Sequence, residues 1–266
     1  MKKTLLSLAI AATLGVITTS ASALPVFQVT ESPAVPGANN NAFSTFNADR
    51  ITGVYKEITV AQGVNGFSSS AIGDFTSYLL NGGSVLSQLN NALISPPSNL
   101  YRMYVRFVSA GTISGPTFTA TSGMAELYID PSSNTVFGNP GDANFSSGIG
   151  FATATGGTAS EDILLGTSNA SSGSGTPGAA PSAFELFFTN FTLTTTGKTY
   201  FTAPVPFYTK LRATGGTSGF DGSTFPFFST GDFSVTIAAV PEPASIALMG
   251  LALAGLGIIR RRKAAK

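Results

Sequence analysis

Between Leu100 and Val108 the sequence alternates with a period of two. Tyr101, Met103, Val105 and Phe107 fall on one face; Arg102, Tyr104, Arg106 and Val108 fall on the other. Successive side chains of a β-strand point to opposite faces, whereas an amphipathic helix repeats every ~3.6 residues. The stretch is therefore a half-buried strand. Ala125, Leu127 and Ile129 alternate in the same way with Glu126, Tyr128 and Asp130, and Phe233, Val235 and Ile237 do so near the end of the chain. Ile51 to Val60, Phe67 to Leu80 and Phe184 to Leu193 are further strands, and Leu24 to Val29 is a short edge strand. Gly63, Asn65-Gly66 and Asn81-Gly82-Gly83 supply turns between them. Tyr200 to Arg212 contains Pro204 and Pro206, which confine it to an edge or bend. Val85, Leu86, Leu89 and Leu93 have helical spacing, which allows one short helix before Pro96-Pro97. The Ser/Gly/Ala-rich run Gly166 to Pro181 reads as a linker or long loop. Eight or so short strands joined by turns predict an all-β domain, an antiparallel β-sandwich of two sheets. No repeat of fixed period is present, which argues against a solenoid or propeller.

Composition narrows the chemistry. The chain has no cysteine, histidine or tryptophan. Without cysteine there is no disulfide, so a packed core must hold the domain. Without histidine, Ser-His-Asp and Cys-His catalysis are excluded, and the commonest transition-metal ligand is missing. Between Leu24 and Pro243 there are 7 Lys or Arg and 13 Asp or Glu, a net charge of −6. No basic patch is available to neutralise phosphates, so nucleic acid is not an expected partner. No cofactor is called for, and the expectation is that the protein is not an enzyme.

The two ends of the chain are built for transport. Lys2 and Lys3 precede the apolar run Leu5 to Ile17, and Ala21-Ser22-Ala23 offers small residues for cleavage. Residues 1–23 thus read as a signal peptide cut by signal peptidase at Ala21 and Ala23, which places the extracellular domain at residues 24–239. Residues 240–266 open on Pro241-Glu242-Pro243, continue through the apolar run Ile246 to Ile259, and end on Arg260-Arg261-Arg262-Lys263. The two prolines hold the chain extended and remove backbone donors. As a helix, the apolar stretch from Ala244 would be about 24 Å long at ~1.5 Å per residue. That is short for a bilayer but long enough when basic side chains snorkel, so one C-terminal transmembrane sorting helix is expected. The arginines hold its end in the cytoplasm.

This tail resembles the PEP-CTERM sorting signal of Gram-negative bacteria, in motif, apolar run, basic cluster and position. The resemblance implies recognition by an exosortase, a membrane-embedded enzyme that cuts near Pro241, Glu242 and Pro243. It implies transient inner-membrane anchoring followed by delivery to the cell surface or extracellular matrix. A plain single-pass anchor is the alternative. Ala23 to Val29, Pro36 to Asn41, Tyr128 to Thr135 and Tyr200 to Pro204 are similar to one subgroup, the flocculation-associated PEP-CTERM proteins. That implies a structural role in biofilm or floc formation beside exopolysaccharide.

Within the domain, Arg102, Tyr104 and Arg106 form a row suited to contact an acidic polysaccharide; a solvated sheet face with cation–π contact explains the same row. Asp130, Asn134, Asn139, Asp142 and Asn144 are oxygen donors close in sequence, but they lack the spacing of a calcium loop. Turn chemistry accounts for them better, so no metal is expected. Glu161 and Asp162 are adjacent and would face opposite sides of a strand, which does not make a catalytic dyad. An exported carbohydrate-active enzyme, with two carboxylates across a cleft, and a calcium-dependent sugar-binding module are the competing functions.

Overall fold

A computed structural model describes residues 24–38, 44–89, 101–137, 154–155, 161–176, 183–216 and 227–238. In chain order the elements are β1 (Phe27–Thr30), β2 (Thr45–Ala48), β3 (Arg50–Gln62), β4 (Gly66–Leu80), β5 (Gly83–Val85), β6 (Arg102–Ser114), β7 (Thr117–Asp130), β8 (Val136–Phe137), β9 (Ala154–Thr155), β10 (Ile163–Ser168), β11 (Ala170–Thr176), β12 (Ala183–Thr189), β13 (Thr192–Leu193), α1 (Thr195–Tyr200), β14 (Phe201–Ala203), β15 (Lys210–Gly216) and β16 (Phe227–Ala238).

The strands do not form a sandwich. They close into an eight-stranded antiparallel barrel, in the circuit β3, β4, β6, β7, β10/β11, β12/β13, β15, β16 and back to β3. The closing strand is the stretch that composition marks as a linker. After a register shift between Leu164 and Gly166, β10 and β11 keep one register against β7, with Ser168 opposite Ala125 and Gly173 opposite Ala120. The other edge of the same stretch pairs with β12 and β13, Gly173 opposite Leu186 and Thr167 opposite Thr192. Gly173 has φ +144° and its Cβ would lie 2.1 Å from the Glu185 carbonyl oxygen, so the close approach needs glycine. A sandwich leaves sheet edges; here both edges of this strand are paired. Period-two alternation is the same in the two architectures, which is why it does not separate them.

The facing of the strands follows the alternation. Met103, Val105 and Phe107 are buried in the barrel with Ile51, Tyr55, Phe75, Leu127, Phe188 and Phe233. Phe75 and Phe233 pack with ring centroids 4.9 Å apart. Gly73 makes room for that packing, since a Cβ there would meet the Phe233 ring at 2.4 Å. Asp74, Arg102, Arg106, Glu126, Glu185 and Arg212 lie outside and form ion pairs across neighbouring strands. An apolar interior with a charged exterior is the inverse of a lipid-embedded barrel, whose outward face carries an apolar band. This exterior suits water.

One end of the barrel is plugged. β1 is the middle strand of a small sheet, between β14 and β2, rather than an edge. Phe27 and Phe46 from this sheet pack on Tyr78, and Phe27 on Phe201. Thr194 caps α1 by accepting from the Gly197 N–H at 3.0 Å, which brings Tyr200 inward. Three buried phenols then meet a buried carboxylate. Tyr78 and Tyr200 hydroxyls are 2.6 Å apart, Tyr200 and Tyr101 2.7 Å, and Tyr101 donates to Glu31 Oε1 at 2.7 Å. Each phenol has one proton, so the chain is satisfied when Tyr78 donates to Tyr200, Tyr200 to Tyr101 and Tyr101 to Glu31. Gln88 completes the shell with its backbone N–H at 2.8 Å and its side-chain amide at 3.0 Å. Burial pushes the Glu31 carboxyl above its ordinary range in spite of these donors.

The short helix that this spacing allows does not form over its described part: Val85 ends β5 and Leu89 makes an isolated bridge to Tyr101, while residues 90–93 lie outside the described residues. α1 is the helix that the described residues do contain. None of them forms a helix long and apolar enough to cross a membrane. The C-terminal sorting helix expected from Ile246 to Ile259 lies outside the described residues, as does the signal peptide.

Replacing Phe107 by Ala should cost ~3–5 kcal/mol, because a large interior side chain is lost without collapse of a closed barrel. Replacing Arg106, on the outer face, should cost under about 1 kcal/mol. Thermal and denaturant melts of the two variants check this; equal losses would contradict the facing of β6.

Candidate functional site

The row Arg102, Tyr104, Arg106 lies on the outer wall, as its alternation requires. Its environment is fuller than a bare solvated face. Tyr104 is 2% exposed and packs with Ile58 and Ile72 in a small cluster outside the barrel, covered by Phe137. It stacks on Tyr128 at 5.1 Å with 13° between the planes, and donates to Asp162 Oδ2 at 2.6 Å. Burial pushes the Tyr104 phenol up, and the Asp162 contact adds to this. Arg102 donates to Asp74 at 2.6 Å and to the Thr135 carbonyl at 2.9 Å, with its guanidinium 4.4 Å from the Phe137 ring centre. Arg106 lies 3.9 Å from Glu126 and 6.0 Å from the Tyr128 ring centre. The two arginine side chains keep 20% and 27% exposure, so cationic edges remain on either side of the covered tyrosine.

The oxygen donors named from sequence divide. Asp130 accepts from the backbone N–H groups of Ser132 at 3.1 Å and Thr135 at 2.8 Å, the turn chemistry expected of it. Asn134 donates to Glu161 at 2.6 Å. Asn139, Asp142 and Asn144 lie outside the described residues. Glu161 and Asp162 go to different partners, Asn134 and Tyr104, and are not brought together as a pair. Ala21, Ala23, Pro241, Glu242, Pro243, Arg260, Arg261 and Arg262 all lie outside the described residues.

One group was missed from sequence. Glu57 faces the barrel interior beside the end opposite the plug. It lines a cavity of about 60 Å³ with Thr59, Phe67, Phe107, Ser109, Phe118 and Phe184. Ser69 hydrogen-bonds to its carboxylate, and Ser69 and Ser109 hydroxyls are 2.8 Å apart. Burial is the main cause that pushes the Glu57 carboxyl up, to about 7, and the Ser69 bond only partly opposes it. Tyr55, the other titratable group nearby on β3, is turned to Ser229 and to the Gly216 carbonyl, both at 3.0 Å. The sequence did carry a signal: Glu57 has the parity of Ile51 and Tyr55, the inward set of that strand.

The ends of the barrel differ in what leaves them. β16 runs from Phe227, opposite Thr59 near the cavity, to Ala238, opposite Lys210 at the plugged end. Residue 24 enters next to β1, at the plugged end too. The β3–β4 turn at 63–65 and the β6–β7 turn at 115–116 border the end opposite the plug.

Comparison with known families matches residues 239–263 to the PEP-CTERM protein-sorting motif. Comparison with curated proteins finds no match. Among solved structures, Ail, the attachment invasion locus protein of Yersinia pestis, aligns over 70% of this chain and 92% of its own, at 10% identity and a TM-score of 0.16, too low for a shared fold. The matched segment begins one residue after the last strand, holds the proline–glutamate–proline triplet and reaches Lys263: the chain carries a PEP-CTERM sorting motif, which implies an exported surface protein sorted by an exosortase.

Proposed function

We propose that this protein is a non-enzymatic, structural component of the extracellular matrix, acting in biofilm or floc formation beside exopolysaccharide. The observation that carries the reading is the junction of a closed, water-suited barrel to a sorting motif at residue 239. Transit would run through signal peptidase, transient anchoring at the inner membrane, and exosortase action near Pro241, Glu242 and Pro243. The barrel would then be held by its plugged end, with the opposite end turned away from the point of attachment. The similarity of Tyr128 to Thr135 and other patches to flocculation-associated members supports the matrix role. The part-exposed guanidinium groups of Arg102 and Arg106 are its candidate contacts for an acidic glycan.

A carbohydrate-active enzyme of the paired-carboxylate kind would need a second acid facing Glu57. The lining of the cavity supplies none among the described residues.

The test is genetic, with a chemical readout. A strain lacking this chain should aggregate less, at undiminished polysaccharide secretion, and the full chain should restore aggregation. A variant with Arg260, Arg261 and Arg262 all changed to Ala should restore little, because sorting fails while the domain still folds. Mass spectrometry of the displayed protein should find its C-terminus near Pro241. Normal aggregation in the deletion strain contradicts the matrix role; recovery of intact Lys266 from the extracellular fraction contradicts the processing step.

A further inference from the structure

We propose that the cavity at the end of the barrel opposite the plug is a binding site for a small amphipathic amine, its ammonium group on Glu57 and its apolar body among Phe67, Phe107, Phe118, Phe184 and Leu186. This goes beyond the matrix role and does not depend on it.

Among the described residues the cavity has one charged group. The lining residues from β4, β6, β7, β11 and β12 are apolar, or carry hydroxyls, or are glycine; Glu57 on β3 is the only carboxylate or cation that they include. It takes no part in the three ion pairs of the described residues, all of which lie on the outer face. A buried charge is ordinarily paired or shifted toward its neutral form. Glu57 shows the second response, with a carboxyl raised to about 7. An ionised carboxylate has about four lone-pair sites, and the Ser69 bond leaves acceptor capacity for an N–H donor. A bound ammonium would supply the missing partner and favour the ionised form. Four phenylalanine rings in the wall add faces that attract a cation. An anion would meet the carboxylate, and a neutral apolar molecule would leave it unpaired.

Size limits the ligand. About 60 Å³ of void corresponds to about four to six water-sized centres, at roughly 10–15 Å³ each. A straight-chain amine with four to six heavy atoms fits that space. The turns at 63–65 and 115–116 border this end of the barrel, which lies at the end of β16 remote from the sorting motif.

The test uses the full secreted protein and isothermal titration with n-pentylamine, n-pentanol and butanoate at pH 8 and pH 5.5. One amine should bind per chain at pH 8, at least ten-fold more tightly than the alcohol, with no binding of butanoate. Binding of the amine should weaken ten-fold or more at pH 5.5, because a carboxyl titrating near 7 is then mostly protonated. Glu57→Gln should lose the preference for the amine over the alcohol. Folding of that variant is checked by its melt. The folded-state carboxyl lies above its unfolded value, so wild-type stability falls as pH rises from about 4.5 through about 7. Glu57→Gln should therefore melt higher than wild type at pH 8 and close to it at pH 5. Ala120→Leu, which fills the cavity and keeps Glu57, should abolish binding of amine and alcohol alike. Equal affinity for pentylamine and pentanol, an undiminished amine preference in Glu57→Gln, or no binding by the wild type would each overturn the proposal.

Discussion

The rest of the structure depends on the double pairing of one strand. Backbone N–H and C=O groups at a sheet edge must be satisfied or protected, and an exposed edge invites pairing with another chain. For a protein whose sorting motif implies export to the cell surface that is a standing hazard. Here Ile163 to Thr176 is bonded on one side to β7 and on the other to β12 and β13. The circuit then has no free edge among its eight strands. Closure also replaces the disulfides that this chain cannot form, because every wall strand is held from two sides. Glycine and serine in this stretch are what make it possible: a branched side chain at 173 would collide with the neighbouring backbone.

Closure creates an interior with two unlike ends. At the plugged end Glu31 receives hydrogen bonds from Tyr101 and twice from Gln88, and the relay through Tyr200 to Tyr78 ties cap, helix and wall together. A half-satisfied network in so dry a place would be worse than an apolar core. At the other end Glu57 has one hydroxyl donor and an adjoining void. Two glutamates of the same barrel are thus in opposite circumstances. One is a fastening that burial makes expensive and three hydrogen bonds make tolerable. The other keeps capacity for a further partner, at the end of the barrel turned away from the sorting motif.

Much of this was legible in the sequence, for physical reasons that single residues show. Tyr101 to Val108 alternates because one face of β6 is core and the other is not, and the buried Met103, Val105 and Phe107 follow directly. The sorting tail was legible because its parts are local and ordered. The barrel was not, since alternation records which face is buried and is silent on which strands are neighbours. Gly166 to Thr176 was misread for a related reason. Its small residues are the signature of a flexible loop and also of a strand hemmed in by two backbones. Tyr104 shows a third limit: its outward parity was correct, yet Phe137 and Asp162, brought in by the chain after β7, cover it. Glu57 was visible as an acid of inward parity, but the cavity beside it is a property of the closed wall.

The closed wall is the central claim, and Gly173 is where it can be tested most directly. Interstrand nuclear Overhauser contacts of the isotope-labelled secreted protein should link Gly173 both to Ala120 on β7 and to Leu186 on β12, with slow amide exchange along Ala170 to Thr176. Contacts to one neighbour alone, with fast exchange on the other edge, would mean an open sheet and contradict the account.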